Sequence, residues 1–168
     1  MVSAQGADHV LGTASPGEDG VRRFRGDVKA LTGGEGVDVV YDPVGGAISL
    51  ESLRCVRFGA RFLIVGWAST PFVARGKGQR GAPNANVLPT NLIMMKSLDV
   101  LGCPAVISAH RDPAMRARRL AEVLAWAEEG AITPLVAERR PLADAAQAMR
   151  DKWKSRTVGA IVLRPGAP

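Results

Sequence analysis

Short apolar runs alternate along this chain with segments of helical periodicity. The four runs are Val37–Asp42, Arg61–Gly66, Leu98–Cys103 and Val158–Leu163. Neighbouring positions within each run are apolar, which is typical of parallel strands that lie buried under helices on both faces. The pattern therefore predicts four strands of a parallel sheet.

The segments between these runs carry apolar residues at helical spacing. Asp112-Pro113 is a helix start signal, an N-cap followed by proline at the first helical position, and Gly130 ends that helix. Strand and helix alternate, which predicts an α/β fold: a partial doubly wound (Rossmann-like) parallel sheet with flanking helices, in a single domain over residues 1–168. The predicted apolar helix faces are Val21, Phe24, Val28 and Leu31, ending at Gly33-Gly34; Ile48, Leu50, Leu53 and Val56; Leu120, Val123, Leu124 and Ala127; and Leu142, Ala145, Ala146, Met149 and Trp153.

Composition narrows the class of protein. The 168 residues are 46% hydrophobic and 23% charged, enough for one domain with a real core. No apolar run is long enough to cross a bilayer, and the first residues lack the pattern of a signal peptide, so we expect a cytoplasmic protein without a membrane partner. The two cysteines, Cys55 and Cys103, are expected to be reduced, and the two histidines have no ligands at metal-site spacing, so no metal is predicted.

A formal net charge of +6 is the one compositional sign of a polyanionic partner. The basic residues are spread along the chain: a helix carries Arg116, Arg118 and Arg119, and a predicted loop carries Arg139 and Arg140. Aromatic residues make up only 5% of the chain, and no nucleic-acid-binding motif is present. No nucleic-acid partner is therefore expected.

The stretch Arg75–Gly81, RGKGQRG, contains a literal G-x-G-x-x-G string. A genuine dinucleotide-binding turn follows a strand directly and opens a helix, whose N-terminus holds the phosphate. Here Ser69–Ala74 separates the string from the strand, and Ala82–Asn86 after it has the composition of a loop. We interpret residues 75–81 as part of a basic loop insertion over residues 70–87 that is able to cover a bound phosphate.

Ligands of doubly wound sheets bind at the carboxyl ends of the strands. The informative residues at the ends of the first two predicted strands are therefore Asp42–Gly46 and Gly66–Thr70. Their glycines either let a ligand approach the backbone closely or simply form strand-to-helix turns. Spacing alone leaves both interpretations open.

Five blocks of sequence, taken in order, are characteristic of a known family. The blocks are GADHVL (6–11), LTGGEGVDVVYDPVGG (31–46), RCVRFGARFLIVGWAS (54–69), LPTNLIMMKSLDVLG (88–102) and SRTVGAIVL (155–163). Together they resemble the second half of the cofactor domain in the medium-chain dehydrogenase/reductase superfamily, most closely its zinc-free, NADPH-dependent quinone oxidoreductase branch. The resemblance implies NADPH as cofactor, hydride transfer to quinone or enone acceptors, and no catalytic proton donor among these residues.

Members of this superfamily are about twice as long. The resemblance implies that an N-terminal substrate domain and the glycine fingerprint precede GADHVL, so we expect this polypeptide to be a fragment that is inactive alone and binds cofactor weakly. The alternative is a non-catalytic cofactor-fold remnant that acts as a dimerisation or weak nucleotide-binding module.

The resemblance also assigns cofactor contacts. Pro43, Val44 and Gly45 match residues beside the cofactor, and Val65, Gly66, Trp67 and Ala68 match the loop along the nicotinamide. Arg156 lies near a basic residue that contacts the cofactor in relatives, with Lys154 as the alternate position.

The predicted edge strand over residues 98–107 is apolar and carries little charge. Relatives join such edges across a two-fold axis, so we expect a homodimer through this segment, although Pro104 weakens the pairing.

Overall fold

The computed structural model describes residues 3–14, 20–69, 86–154 and 156–166. The chain forms two compact units, Met1–Ser108 and Ala109–Pro168. A single domain over 1–168 stays a prediction. The basic string at 75–81 lies outside the described residues, as do residues 70–85 of the predicted loop insertion.

The first unit is a parallel three-stranded sheet with helices at its connections. Its strands lie in the order β1-β2-β3, and both neighbouring pairs are parallel. This arrangement confirms the α/β class with parallel strands flanked by helices. The elements are α1 (Arg25–Leu31), β1 (Val37–Asp42), α2 (Gly46–Cys55), β2 (Val56–Ile64), α3 (Thr90–Met95) and β3 (Asp99–Gly102), followed by α4 (Ala105–Arg111), which spans the boundary between the units.

The core of the first unit forms between α2 and one face of the sheet. Phe62, in the second half of β2, is fully buried, and so is Leu53 of α2. The burial of each of these two side chains contributes about 2 kcal/mol to the free energy of unfolding. Among the described residues of this unit, the buried apolar ones are Phe24, Leu53, Cys55, Val56, Ala60 and Phe62.

A buried carboxylate joins α1 to α2. Phe24, at the N-cap of α1, gives that helix no side-chain cap. Glu51 of α2 takes over this role, because its Oε1 accepts a hydrogen bond from the backbone N–H of Arg25 at 3.1 Å. Arg54 Nη1 lies 3.4 Å from the other oxygen of Glu51. A negative charge at a helix N-terminus is stabilising, so the placement fixes α1 against α2.

The opposite face of this sheet is exposed. Tyr41, Leu63 and Leu101 lie in register across the three strands, yet Tyr41 is 68% and Leu101 45% exposed. The prediction that helices bury both faces of the sheet is therefore wrong for the described residues of β1 and β3. The physical reason is that α2 covers only the face that carries Phe62.

The segment after β3 corrects the predicted edge strand. β3 does lie at an edge of the three-stranded sheet, but it ends at Gly102 rather than continuing to Ile107. The Pro104 carbonyl accepts a hydrogen bond from Ser108 N at 2.8 Å and so opens the helix α4. Proline lacks the N–H that a strand ladder needs, while its fixed φ suits a helix start.

The second unit contains the long helix α5 (Pro113–Glu128), β4 (Val136–Pro141), α6 (Ala145–Trp153) and β5 (Ala160–Arg164). The start signal is confirmed: Asp112 Oδ1 accepts a hydrogen bond from Met115 N at 2.9 Å. The helix ends before Gly130, whose φ is +76°. β4 and β5 pair in parallel. The prediction of a loop at Arg139 and Arg140 is wrong, because both residues lie in β4.

A charged network holds this second sheet against α6. Arg140 lies 2.9 Å from Asp151 and also donates to Glu138. The hydrogen bond from Arg140 lowers the pKa of both carboxyl groups, and these bonds raise the pKa of the guanidinium. Gln147 Nε2 and Thr157 Oγ1 complete the network at 2.9 Å each. The cluster is thus internally satisfied and has a structural role.

Candidate functional site

The carboxyl ends of the three parallel strands meet at one edge of the first unit. Asp42 of β1 is in register with Ile64 of β2, and Ile64 with Gly102 of β3. The chain segments that leave these ends are Pro43–Gly46, Val65–Ser69 and Cys103–Pro104. Parallel sheets bind their ligands at this edge, so the predicted cofactor residues 43–45 and 65–68 are brought to one place.

Asp42 organises the turn that follows β1. It is buried, and its Oδ1 accepts hydrogen bonds from Val44 N at 2.8 Å and Gly45 N at 3.0 Å. The hydroxyl of Ser49 on α2 donates to Oδ2. An aspartate that binds backbone amides two and three residues ahead forms an Asx-type turn. The carboxylate therefore fixes the backbone of the predicted cofactor residues.

Asn86 extends this network from a distant part of the chain. Its side-chain amide donates to Ser49 Oγ at 3.2 Å, and its Oδ1 accepts from Gly46 N at 3.2 Å. Sequence interpretation placed Asp42 among the residues at the strand end and Ser49 in the helix after the turn, but it assigned neither residue, nor Asn86, a role in holding the turn. Only Asp42 carried a readable signal, as an acidic residue at a strand end before a Pro-Val-Gly-Gly turn.

Backbone hydrogen bonds join the two loops into one surface, which we call the shelf: residues 43–45 and 65–69. Val65 N and Gly66 N donate to the Asp42 carbonyl at 2.9 and 3.3 Å. Ala68 N donates to the Pro43 carbonyl at 3.2 Å. Ser69 donates to the Val44 carbonyl through both its N–H and its hydroxyl, each at 2.9 Å. The shelf is therefore rigidly cross-linked.

Two glycines permit this close approach of the loops. A Cβ on Gly66 would lie 3.0 Å from the Pro43 carbonyl oxygen. Gly45 has φ of +81°, and a Cβ there would lie 3.3 Å from Trp67 Cα. The sequence left two explanations for these glycines, a ligand close to the backbone or a strand-to-helix turn. The close packing of the two turns is enough to explain why both positions are glycine. A ligand role for their backbone stays a prediction.

The outer edge of the shelf offers unpaired backbone groups. Within the described part of the chain, neither the Val65 carbonyl nor the Trp67 N–H makes a hydrogen bond. The Trp67 side chain is 44% exposed beside them. One acceptor and one donor, two residues apart, match the amide of a planar carboxamide, and the indole offers a surface for stacking.

A cavity of about 420 Å³ opens next to this edge. We call it the β3-side cavity, because it lies between the ends of β2 and β3 and the start of α4. Val65 and Trp67 belong to both the shelf and the cavity. The lining residues are Ile64, Val65, Trp67, Gly102, Cys103, Pro104, Ala105, Val106 and Ile107.

Arg156, the remaining predicted cofactor residue, belongs to the second unit. Its backbone N–H donates to the Asp151 carbonyl at 2.9 Å, and its guanidinium lies 3.6 Å from the Asp151 carboxylate. Lys154, the alternate, follows the end of α6, and its N–H donates to the Arg150 carbonyl at 3.0 Å. For these two residues a cofactor role stays a prediction.

The cysteines do not form a metal site in the described residues. No group of three or more His, Cys, Asp or Glu side chains there is arranged to hold a metal ion. Cys55 is buried and donates to the Glu51 carbonyl, and burial raises the pKa of its thiol to about 11. Cys103 lies in the wall of the β3-side cavity.

Residues 5–163 match the family model described as zinc-binding dehydrogenase. The chain belongs to this family. The predicted resemblance to medium-chain dehydrogenases is thereby confirmed. Zinc itself does not fit the described residues, because they contain no group of metal ligands. Likewise, no helix among the described residues has the length and apolar character needed to cross a membrane.

The chain is similar to a bovine quinone oxidoreductase-like protein 2, at 28% identity over 169 residues. The alignment covers 97% of this chain and 45% of the bovine protein. The corresponding coverage of the rat protein is 36% and of the mouse protein 28%. The chain therefore spans less than half the length of these curated relatives.

Solved structures agree with this assignment. A mycobacterial quinone oxidoreductase is similar at 31% identity and a TM-score of 0.72, over 97% of this chain and 44% of that one. A mycobacterial protein solved in complex with NADPH is similar at 30% identity and a TM-score of 0.70, over 97% and 45%. The fold is thus the Rossmann-like cofactor fold of an oxidoreductase family.

Proposed function

We propose that this chain forms the nicotinamide side of an NADPH-dependent oxidoreductase of the quinone reductase type. The observation that carries the proposal is the shelf, a cross-linked surface at the carboxyl ends of three parallel strands where, within the described residues, the Val65 carbonyl and the Trp67 N–H make no hydrogen bond. The similar mycobacterial protein in complex with NADPH supports the choice of cofactor.

In this proposal Pro43, Val44 and Gly45 form the floor under the nicotinamide. The Val65 carbonyl and the Trp67 N–H hold its carboxamide. Gly66 and Ala68 hold the segment 65–68 against the floor through their hydrogen bonds to the Asp42 and Pro43 carbonyls. When bound, NADPH supplies a hydride, that is, one hydrogen with two electrons. The acceptor, a quinone or an enone, takes its proton from solvent, since no side chain of the shelf is assigned as an acid.

The ion pair with Asp151 leaves donors of the Arg156 guanidinium for an anionic part of the cofactor. Lys154 is the alternate for this contact. We assign no catalytic side chain and no metal. A cytoplasmic location belongs to the same proposal, as does inactivity of the 168-residue polypeptide on its own in a 340 nm assay of NADPH oxidation with quinones.

The shelf is expected to contact the nicotinamide end of the cofactor more closely than the adenine end. Saturation-transfer NMR with NADP⁺ measures this contact even when binding is weak. We expect the nicotinamide protons to receive the larger saturation, and Gly66→Ala to weaken binding about tenfold by pushing the Pro43 carbonyl away. An effect confined to the adenine protons would contradict the proposal.

A matched control for this experiment is Gly26→Ala on α1. A Cβ at Gly26 meets nothing within 4 Å. The same chemical change should therefore leave NADP⁺ binding unaltered. Equal losses in both variants would assign the effect to general destabilisation rather than to the shelf.

A second candidate function, dimerisation, is favoured by the position of β3 at an edge of the sheet in the described part of the chain. Only the four residues of β3 are available for pairing, since α4 follows. We propose a homodimer in which two such edges pair across a two-fold axis. This role also fits a non-catalytic remnant that binds nucleotide weakly.

Light scattering after size exclusion measures this assembly. The wild-type chain should elute as a dimer at micromolar concentration. Leu101→Lys should give a monomer with unchanged circular dichroism, because like charges then meet across the paired edges. Met94→Lys, an exposed apolar position on α3, is the matched control and should stay dimeric. A wild-type monomer would end the idea.

A further inference from the structure

The described walls of the β3-side cavity carry no charge. Among the residues that the structure describes, its lining contains no Asp, Glu, Lys, Arg or His side chain. A carboxylate or phosphate placed there would lose its hydration without gaining a partner, which is costly. The cavity is thus suited to a neutral, apolar occupant.

Its size limits the occupant to a small molecule. About 420 Å³ lies in the range of small-molecule sites, roughly 300–1,000 Å³. This volume takes a one- or two-ring compound. The Trp67 indole in the wall favours a flat, aromatic or conjugated ring, because such rings stack on its face.

The cavity is continuous with the shelf. Val65 and Trp67 line both, and the Cys103 N–H fixes the end of β3 to β2 through the Ile64 carbonyl at 2.9 Å. At the other side of the cavity, Val106 and Ile107 of α4 are 71% and 59% exposed. Apolar side chains left this exposed, next to a candidate cofactor surface, are typical of a binding site.

We propose that the β3-side cavity binds the neutral, hydrocarbon-substituted ring of the hydride acceptor, and that Val106 and Ile107 determine its specificity. This assignment rests on the proposed function, since the acceptor must lie beside the nicotinamide. We therefore expect the cavity to exclude acceptors whose ring carries a carboxylate, sulfonate or phosphate on the side that enters it.

Fluorescence of Trp67 measures occupancy of the cavity directly. A Trp126→Phe/Trp153→Phe background of the full chain leaves Trp67 as the remaining tryptophan. The neutral probe is 2,3-dimethyl-1,4-naphthoquinone, whose blocked ring carbons prevent alkylation of thiols. We expect saturable quenching, and binding at least about tenfold weaker for anthraquinone-2-sulfonate.

Ile107→Asp should weaken binding of the neutral quinone about tenfold without loss of helical circular dichroism, because Ile107 is exposed. The matched control is Met94→Asp, which places the same charge at a similarly exposed position of α3 outside the cavity. Quenching that does not saturate, or that Ile107→Asp and Met94→Asp affect equally, would overturn the assignment.

Cys103 gives a second readout. Iodoacetamide at pH 8 should alkylate Cys103 and spare Cys55, which is buried and has a pKa raised to about 11. Bound quinone should slow alkylation of Cys103 at least about fivefold at saturating ligand. Protection that depends on protein concentration and not on quinone would instead show a second copy in the cavity and would overturn the assignment.

The two proposals fail separately. Saturable quinone binding that Ile107→Asp weakens, together with no nicotinamide saturation from NADP⁺, supports the cavity and contradicts the shelf. Nicotinamide saturation without quinone binding at Trp67 contradicts the cavity and leaves the shelf.

Discussion

Replacing Asp42 by alanine should lower the free energy of unfolding of the first unit by about 3 kcal/mol. The buried carboxylate accepts hydrogen bonds from Val44 N, Gly45 N and the Ser49 hydroxyl. Alanine leaves these donors without an acceptor, and an unsatisfied buried donor costs more than the net value of its hydrogen bond. Urea unfolding followed by circular dichroism measures the loss. Binding of NADP⁺ should weaken as well, because the floor of the shelf loses its anchor.

Asp38→Ala is the control on the same strand. Asp38 pairs with Arg57, but both side chains are more than half exposed, and such surface pairs contribute about 1 kcal/mol or less. Asp42→Asn should fall between the two alanine variants, because one amide oxygen still accepts from the backbone of the turn. Equal stability of Asp38→Ala and Asp42→Ala would show that the turn does not depend on the carboxylate.

Elements with strong local signals were predictable from the sequence. The helix α5 is the best example, since Asp112 caps it, Pro113 opens it and Gly130 follows its end. These signals act over a few residues, so no tertiary contact is needed to interpret them. The parallel strand β1 was predictable for a similar reason, because its run of apolar residues is short and bounded. For β2 only residues 61–64 were predicted as strand; the prediction that Val56 lies on a helix face is wrong, because Val56 begins the strand.

Elements that depend on distant partners were not predictable. β4 carries Arg139 and Arg140, which read as a loop. Arg140 is accommodated in a strand because Asp151, eleven residues away, and Glu138 satisfy its guanidinium. The opposite error occurred at residues 105–107, which are apolar and were therefore predicted to continue a strand. They form a helix instead, and the Pro104 carbonyl accepts the first hydrogen bond of that helix.

The candidate site, too, was predictable in part: its position in the fold was, but the hydrogen bonds that hold it were not. The positions of Pro43, Gly45 and Gly66 at the strand ends followed from the α/β pattern. The network that holds them did not, because Asn86 lies 37 residues from Ser49 and 40 residues from Gly46. Resemblance to a family supplied the cofactor, which no composition or spacing in this chain specifies.

The largest loss of stability is expected for Gly36→Ala. Gly36 lies between α1 and β1 with φ of +101°, a backbone conformation that residues other than glycine rarely adopt. A Cβ there would lie 2.3 Å from the Cys55 carbonyl oxygen and 2.9 Å from the Val56 carbonyl carbon. Both atoms are backbone, at the junction of α2 and β2, so neither moves without displacing the core strand. We expect the free energy of unfolding to fall by about 4 kcal/mol.

Gly34→Ala separates the strain of this conformation from the clash. Gly34 has φ of +90°, close to that of Gly36, but a Cβ there meets nothing within 4 Å. Its replacement should cost about 1 to 2 kcal/mol, from backbone strain alone. The difference between the two variants in urea unfolding is then the contribution of the contact between residue 36 and the α2–β2 junction. Equal losses would mean that the junction relaxes around the new methyl group, and the close approach of β1 to this junction would not be required for the fold.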